Sequence, residues 1–143
     1  AIFEVYDKTA KSYVTTLASG QLMIVSNDVN EEYEISKNED FTKVIKTVKT
    51  DENKQIILDM DDGTYYSRKV GDDKVSKHVI KDGKAVLADA IYGHEYEFKE
   101  IKAPTSYQLA DKSKAYKVEA DKDTDTIIYY FENARIVVPN TGV

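Results

Sequence analysis

One short segment of the sequence combines an aromatic pattern with a carboxyl group that could do chemistry. The segment Glu95 to Tyr107 reads EYEFKEIKAPTSY, and strand alternation places Tyr96, Phe98 and Glu100 on one face. Either Glu100 points inward with the aromatic side chains, or the strand ends at Phe98 and Glu100 lies at a wet rim. Burying an ionised carboxylate costs several kcal/mol, so an inward Glu100 must be paired, hydrogen-bonded or protonated.

A second polar residue of interest is Asn133, which lies in the last apolar run of the chain. This run reads TIIYYFENARIVVPNTG, and Asn133 is in phase with Ile127, Tyr129 and Phe131. Both faces of the run are apolar, so its inward face is not decided by alternation. Taken singly, an asparagine at the end of a strand is usually a turn residue.

Other kinds of catalytic chemistry find little support in the sequence. There is no cysteine, and the two histidines, His78 and His94, have no catalytic motif around them. The six glycines are scattered and form no phosphate-binding loop. Acidic clusters at 59–62 and 121–125 suggest calcium only weakly, because the second lacks the turn glycine and the distal glutamate of a calcium loop. We therefore expect no cofactor, no metal and no turnover enzyme.

The net charge of -6 argues against nucleic-acid binding, because the lysines are interleaved with acidic residues. The length of 143 residues predicts a single domain with one hydrophobic core. The chain opens with AIFEVYD, without a basic and apolar leader, so we expect it to be cut from a longer precursor.

The elements that must position these residues are mostly short strands. Alternation predicts a first strand at Ala1 to Tyr6, a turn at Asp7 to Lys11 and a second strand at Tyr13 to Leu17. Further strands are predicted at 22–25, 55–59, 64–70, 85–90, 95–101, 106–109, 116–119 and 126–138. The stretch 27–34 gives no strong pattern.

Two further stretches bear on the predicted strands: one fits either a helix or a strand, and the other predicts that two strands pair. The stretch that follows Asn38 fits either a short N-capped helix through Val48 or a strand from Lys43 to Thr50. Asp61, Asp62 and Gly63 form an acid-plus-glycine turn, which predicts a hairpin between the strands on either side. Short strands with turn punctuation indicate an all-β sandwich or barrel.

Four segments together resemble a known family. EFKEIKAPTSY resembles the E-box of Cna B-type (prealbumin-like) domains of Gram-positive pilins and adhesins, and AIFEVYD resembles that family's second strand. GKAVLADAIYG resembles the strand and turn before the E-box, and VPNTG, Val138, Pro139, Asn140, Thr141 and Gly142, resembles the LPxTG sorting motif. The resemblance implies an Ig-like or prealbumin-like β-sandwich.

The resemblance also implies an intramolecular isopeptide bond between a lysine of the first strand and an asparagine of the last. Carried over by position, Glu100 is the assisting acid and Asn133 the acceptor. The family's lysine lies on a strand before Ala1, so it is not in this chain, and Lys8 in the predicted turn is a weak substitute. Without that strand, Ala1 to Tyr6 is expected to present an unpaired edge that invites strand addition.

The family pattern divides the chain into a domain at 1–138 and a sorting tail at 139–143. The segment at about 21–82 is longer than the corresponding family region, so we interpret it as an insertion packed beside the main sandwich. These features suggest an extracellular cell-wall module, a pilin or adhesin, that sortase joins to peptidoglycan or to another pilin subunit. Alternatives are a host-ligand-binding module acting through the insertion, and a split domain that captures a lysine-bearing peptide.

Overall fold

The protein is all-β, as the sequence predicted. A computed structural model describes residues 1–104, 107, 114–117 and 126–129. The described residues contain no helix, and accordingly none that is long and apolar enough to cross a membrane. Twelve strands lie within these described ranges: β1 (Ile2–Asp7), β2 (Ser12–Ala18), β3 (Gln21–Val25), β4 (Glu32–Ser36), β5 (Val44–Lys49), β6 (Gln55–Asp59), β7 (Gly63–Lys69), β8 (Ser76–Ile80), β9 (Ala85–Leu87), β10 (Glu95–Lys102), β11 (Lys114–Lys117) and β12 (Ile127–Tyr129).

The largest sheet has six strands in the order β11-β10-β1-β2-β3-β6. The predicted first hairpin is confirmed, because β1 and β2 pair antiparallel across the turn at Asp7 to Lys11. β1 also pairs antiparallel with β10 along its whole length. The expectation that Ala1 to Tyr6 presents an unpaired edge is therefore wrong, because both edges of β1 are occupied by neighbours within the chain.

A first hydrophobic core lies between part of this sheet and the two-stranded sheet β12-β9. It contains the inward side chains of β1, β9 and β10, together with a residue that follows β9: Phe3, Val5, Ala85, Leu87, Ala90, Tyr96 and Phe98. Ile127 of β12 packs against it. Alternating apolar residues on β1 and β10 thus bury one face of these strands, as their period of two predicts.

A second core lies between β3 and β6 on one side and a four-stranded sheet, β5-β4-β7-β8, on the other. Its buried members are Leu22, Ile24, Ile35, Ile56, Tyr65 and Ile80. All of them fall within the segment 21–82, and every member of the first core falls outside it. The segment interpreted as an insertion therefore encloses a hydrophobic core of its own.

The helix considered after Asn38 is replaced by a turn and a strand. β5 begins at Val44 and pairs antiparallel with β4, while the Asn38 side chain accepts a hydrogen bond from the Lys43 amide at 3.0 Å. Phe41 has a positive φ of 57° and is buried, with the guanidinium of Arg68 4.2 Å from its ring centre. Tertiary packing of Phe41 and pairing with β4 thus select the strand over the helix.

The hairpin predicted around Asp61 to Gly63 is wrong. β6 pairs with β3, whereas β7 pairs with β4 and β8. The acidic turn is present, but it carries the chain from the six-stranded sheet to the four-stranded sheet. Turn chemistry therefore identified the bend, while the strand partners were chosen by non-local pairing.

Candidate functional site

Glu100 lies on the buried face of β10. Its side chain follows Tyr96 and Phe98 in the alternating pattern, and the residue is only 7% exposed. In the antiparallel register it stands directly opposite Phe3 of β1, which is fully buried. Of the two interpretations left open by the sequence, the inward one is therefore correct, and a carboxyl group lies at the border of the first core.

The amino group of Ala1 lies within electrostatic reach of Glu100. Partial burial lowers the pKa of this amine from its ordinary value, and the negative charge of Glu100 acts in the opposite direction. The amine donates a hydrogen bond to the Ser19 hydroxyl at 3.1 Å. A residue attached at the Ala1 nitrogen would therefore begin within electrostatic reach of Glu100.

Lys8 is not brought to Glu100. Its ammonium group pairs with Glu95 at 3.2 Å and approaches Glu97 at 4.0 Å, both on β10. Glu95 precedes Glu100 by five positions, which is about 17 Å along a strand. Glu97 alternates with the buried residues and lies on the opposite face. The weak candidate Lys8 thus belongs to a surface ion pair at the other end of β10.

The remaining predicted site residues lie outside the described part of the chain. These are the acceptor Asn133 and the sorting motif, Val138, Pro139, Asn140, Thr141 and Gly142. β12 ends at Tyr129, four positions before Asn133, and pairs with β9 in the sheet that faces the first core.

A buried carboxylate that the sequence did not identify lies at the end of β1. Asp7 accepts hydrogen bonds from the amides of Thr9 and Ala10, both at 2.9 Å, and its other oxygen is 2.7 Å from Nδ1 of His94. Burial acts to raise the pKa of Asp7, but the hydrogen bonds from Ala10 and His94 outweigh it and lower the pKa. This arrangement fixes the turn and is structural.

The second histidine belongs to a cleft between the two cores. His78 of β8 has its Nε2 atom 2.7 Å from the hydroxyl oxygen of Ser67 on β7, and both residues line a cavity of about 700 Å³. Burial lowers the pKa of His78 to about 4, so its imidazole is neutral at physiological pH. Neither His78 nor Ser67 lies in a sequence motif, so only the fold reveals the pair.

Two carboxylates of the acidic cluster at 59–62 accept hydrogen bonds from other described residues. Asp59 accepts from the Gln21 side chain at 2.7 Å, and Asp62 accepts from the Asp82 amide at 2.9 Å. Over the described ranges, no group of three histidine or acidic side chains is placed to hold a metal ion. The cluster at 121–125 lies beyond those ranges.

No protein family, no curated protein and no solved structure matches the chain. The functional proposal therefore rests on the burial, hydrogen bonds and charges of the described residues.

Proposed function

We propose that this chain is a structural and adhesive module of a Gram-positive cell-surface protein, a pilin or adhesin of the Cna B-type, strengthened by an isopeptide bond. The observation that carries the proposal is the burial of Glu100 beside Phe98, opposite Phe3, in a sandwich without cysteine. A carboxyl group held at the border of an apolar core is shielded from water, where its hydrogen bonds are stronger than in solution. Assisting amide formation is a task that requires this environment.

In the proposed chemistry, a neutral lysine amine attacks the side-chain carbonyl carbon of Asn133. A new carbon–nitrogen bond forms, the bond to the original amide nitrogen breaks, and ammonia leaves after receiving a proton. Glu100 hydrogen-bonds the carbonyl oxygen and transfers the proton between the two nitrogens. Holding the groups together supplies most of the rate, because a positioned amine reacts as if it were very concentrated.

Two features of the described residues support an upstream source for the lysine. The Ala1 nitrogen lies within electrostatic reach of Glu100, so a preceding segment, or a docked peptide, has a short path to the site. β1 has neighbours on both edges, so in this proposal the segment pairs instead within the smaller layer formed by β9 and β12. That layer covers the face on which Glu100 lies.

The biological role proposed for the bond is resistance to pulling. A covalent connection between the first and last strands prevents the sandwich from opening, in an extracellular chain that has no disulfide. Sortase would join Thr141 to peptidoglycan or to another pilin subunit. The protein is then a substrate of an enzyme and reacts with itself once, without turnover.

The bond is tested by mixing the chain with a peptide that carries the lysine-bearing first strand of the Cna B-type family. We expect a product that survives boiling in detergent and has lost one ammonia by intact-mass spectrometry. Asn133→Ala should abolish it, and Glu100→Gln, which keeps the size of the side chain, should slow it strongly. Lys8→Ala is the matched control and should change nothing. Equal product from the Asn133 and Glu100 variants would refute the assignment.

Anchoring is tested separately on the sorting motif. In a precursor with a wall-sorting tail, sortase should cleave between Thr141 and Gly142 and attach the protein to the wall. Thr141→Ala should abolish attachment, while Asn140→Ala should leave it largely intact, because the pattern fixes no residue type there. Unchanged attachment of the Thr141 variant would remove the anchoring role.

The second candidate function is binding of a host ligand through the segment 21–82. The observation that favours it is the separate core of this segment, which lets it present loops and edges without sharing the packing of the first core. Deleting 21–82 and closing the gap with a short linker should abolish ligand binding and preserve a cooperative β fold. Unfolding on deletion would contradict this second function.

A further inference from the structure

Two aspartate–glycine pairs of the chain lie side by side in the fold. Asp62 and Gly63 connect β6 to β7, and Asp82 and Gly83 connect β8 to β9. The Asp82 amide donates to Oδ1 of Asp62 at 2.9 Å, so the two pairs are neighbours in space. All four residues are exposed. Any difference in their reactivity must therefore come from how each pair is held.

An aspartate that precedes a glycine can rearrange the backbone without a catalyst. The glycine amide nitrogen attacks the carbonyl carbon of the protonated aspartate side chain, a carbon–nitrogen bond forms, and one water leaves. Glycine favours the attack because it has no Cβ to crowd the nitrogen. The resulting succinimide ring then takes up one water. Where water opens the ring at the original backbone carbonyl, the chain continues through the side-chain carbon, and the product is isoaspartate.

Asp62 and Gly63 are both restrained against this reaction. The Asp62 carboxylate is occupied by the hydrogen bond from the Asp82 amide. Gly63 is the first residue of β7 and stands opposite Ile80 of β8 in the antiparallel register. Attack by the Gly63 nitrogen would require the carboxyl group to leave its donor and the peptide to rotate out of the sheet. Both restraints raise the barrier.

Asp82 and Gly83 lack these restraints. The Lys84 amide donates to the Lys81 carbonyl at 3.1 Å, which closes a four-residue turn with Asp82 and Gly83 at its centre. The hydrogen bond of such a turn does not include the central peptide. Among the described residues, neither the Asp82 carboxylate nor the Gly83 amide takes part in a hydrogen bond. Gly83 has a φ of 67°, and glycine accepts either sign of φ, so this peptide can rotate within the turn.

We propose that Asp82 is a self-modification site, at which the folded protein converts aspartate to isoaspartate while Asp62 stays unmodified. The fold thus distinguishes two identical dipeptides by the freedom of their reacting groups. The hydrogen bond from the Asp82 amide lies on the other side of the residue, so it does not hold the peptide that reacts. The reaction needs no cofactor, because one water is released and one is taken up.

Isoaspartate at position 82 would lengthen the turn beside the contact between the two cores. One additional carbon enters the main chain before Gly83. The Lys84 carbonyl accepts a hydrogen bond from the Gly20 amide at 2.9 Å, which holds the β2–β3 turn against the β8–β9 turn. The two turns are close, since a Cβ placed on Gly20 would lie 3.3 Å from the Gly83 nitrogen. The longer turn therefore displaces Lys84 and weakens its bond to Gly20.

The test incubates the whole folded chain at neutral pH and body temperature. Peptide mapping with electron-transfer fragmentation then measures isoaspartate at each site. Isoaspartate should accumulate about tenfold faster at Asp82 than at Asp62, because reaction at Asp62 must first break its hydrogen bond and release Gly63 from the sheet. A transient species that is lighter by one water should appear at Asp82 before the product.

Two controls separate the effect of the fold from that of the sequence. In the urea-denatured chain, Asp62 and Asp82 should convert at similar rates, because the restraints on Asp62 are gone. Asp82→Glu keeps the charge but would need a six-membered ring, so position 82 should stay unmodified. The matched variant Asp62→Glu should still convert at Asp82.

Two results would overturn the proposal. The first is equal conversion of Asp62 and Asp82 in the folded chain, and the second is an unmodified Asp82 in the folded chain after the denatured chain has converted. The modified protein, separated by chromatography, should exchange the amide hydrogens of Gly20 and Lys84 faster, while the amide of Val5 keeps its rate. Unchanged exchange at Gly20 would refute the weakening of the contact between the turns.

Discussion

Replacing Asp7 with alanine should measure how strongly one buried carboxylate closes the β1–β2 turn. Its side chain holds the amides of Thr9 and Ala10 and the ring of His94, which comes just before β10. Asp7→Ala removes all three contacts at once. The substitution therefore loosens the turn and also its attachment to the neighbouring strand.

The expected cost follows from the surroundings of each partner. Thr9 and Ala10 are exposed, so water can replace the lost acceptor, and each bond contributes about 0.5–1.5 kcal/mol. The bond to His94 is more sheltered, because the Asp7 side chain is 4% exposed and that of His94 is 25% exposed. Together, the three contacts predict a loss of about 2–3 kcal/mol in the free energy of unfolding.

The pH dependence has a definite sign. The pKa of Asp7 in the folded protein is lowered, because the hydrogen bonds outweigh the effect of burial. A carboxylate with a depressed pKa contributes stability that is present above its unfolded pKa, about 3.9, and is lost as pH falls through the folded pKa. The difference in stability between the wild type and Asp7→Ala should therefore be complete near neutral pH and should shrink below about pH 4.

Urea unfolding at neutral pH and in acid measures both effects. Asp7→Asn is the matched control, because it keeps an oxygen for the two amides and should lose less stability than the alanine variant. His94→Ala isolates the third contact. A cost of Asp7→Ala below about 0.5 kcal/mol, or a difference that persists unchanged in acid, would refute this account of the turn.

The remaining predictions address the turns at Gly20 and Gly83, the cleft that contains His78, and the two hydrophobic cores. Gly20→Ala should lower the free energy of unfolding, measured in urea, by more than about 1 kcal/mol. The reasons are a φ of +70° at Gly20 and a distance of 3.3 Å between the new Cβ and the Gly83 amide nitrogen. Gly83→Ala is the control and should cost less, because a Cβ there meets open space. His78 should titrate near pH 4 by NMR, so its contribution to stability is complete above about pH 6.5 and falls as pH decreases toward 4. Phe98→Ala should cost about 3–5 kcal/mol and Ile35→Ala about 2–5 kcal/mol, with hydrogen exchange rising first in the core that contains the substitution.

The fold was predictable wherever one strand face is continuously apolar. β1 and β10 could be identified because their aromatic and aliphatic residues alternate with charged ones. β4 was missed because its inward face offers only Tyr33 and Ile35 among acidic neighbours, and β8 because the face of Ile80 also carries Ser76 and His78. The polar inward residues of β8 face the cleft, where burial is incomplete and the usual alternation fails.

The candidate site residues likewise differ in whether the local sequence could predict them. Alternation offered an inward Glu100 as one of two interpretations, because that orientation depends only on neighbours two and four positions away. The Asp7 and His94 pair joins residues 87 positions apart, and Ser67 and His78 join two strands through a register that no local pattern encodes. Such pairs depend on sheet topology, which the sequence revealed only in part.

The two hydrophobic cores are built from separate parts of the chain. The first core uses residues before Gln21 and after Lys84, and the second uses residues between them. The chain crosses between these units only at two adjacent turns, which the Gly20 and Lys84 hydrogen bond holds together. β2 and β3 pair only through Ala18 and Gln21 beside these turns, and each strand then continues toward a different core.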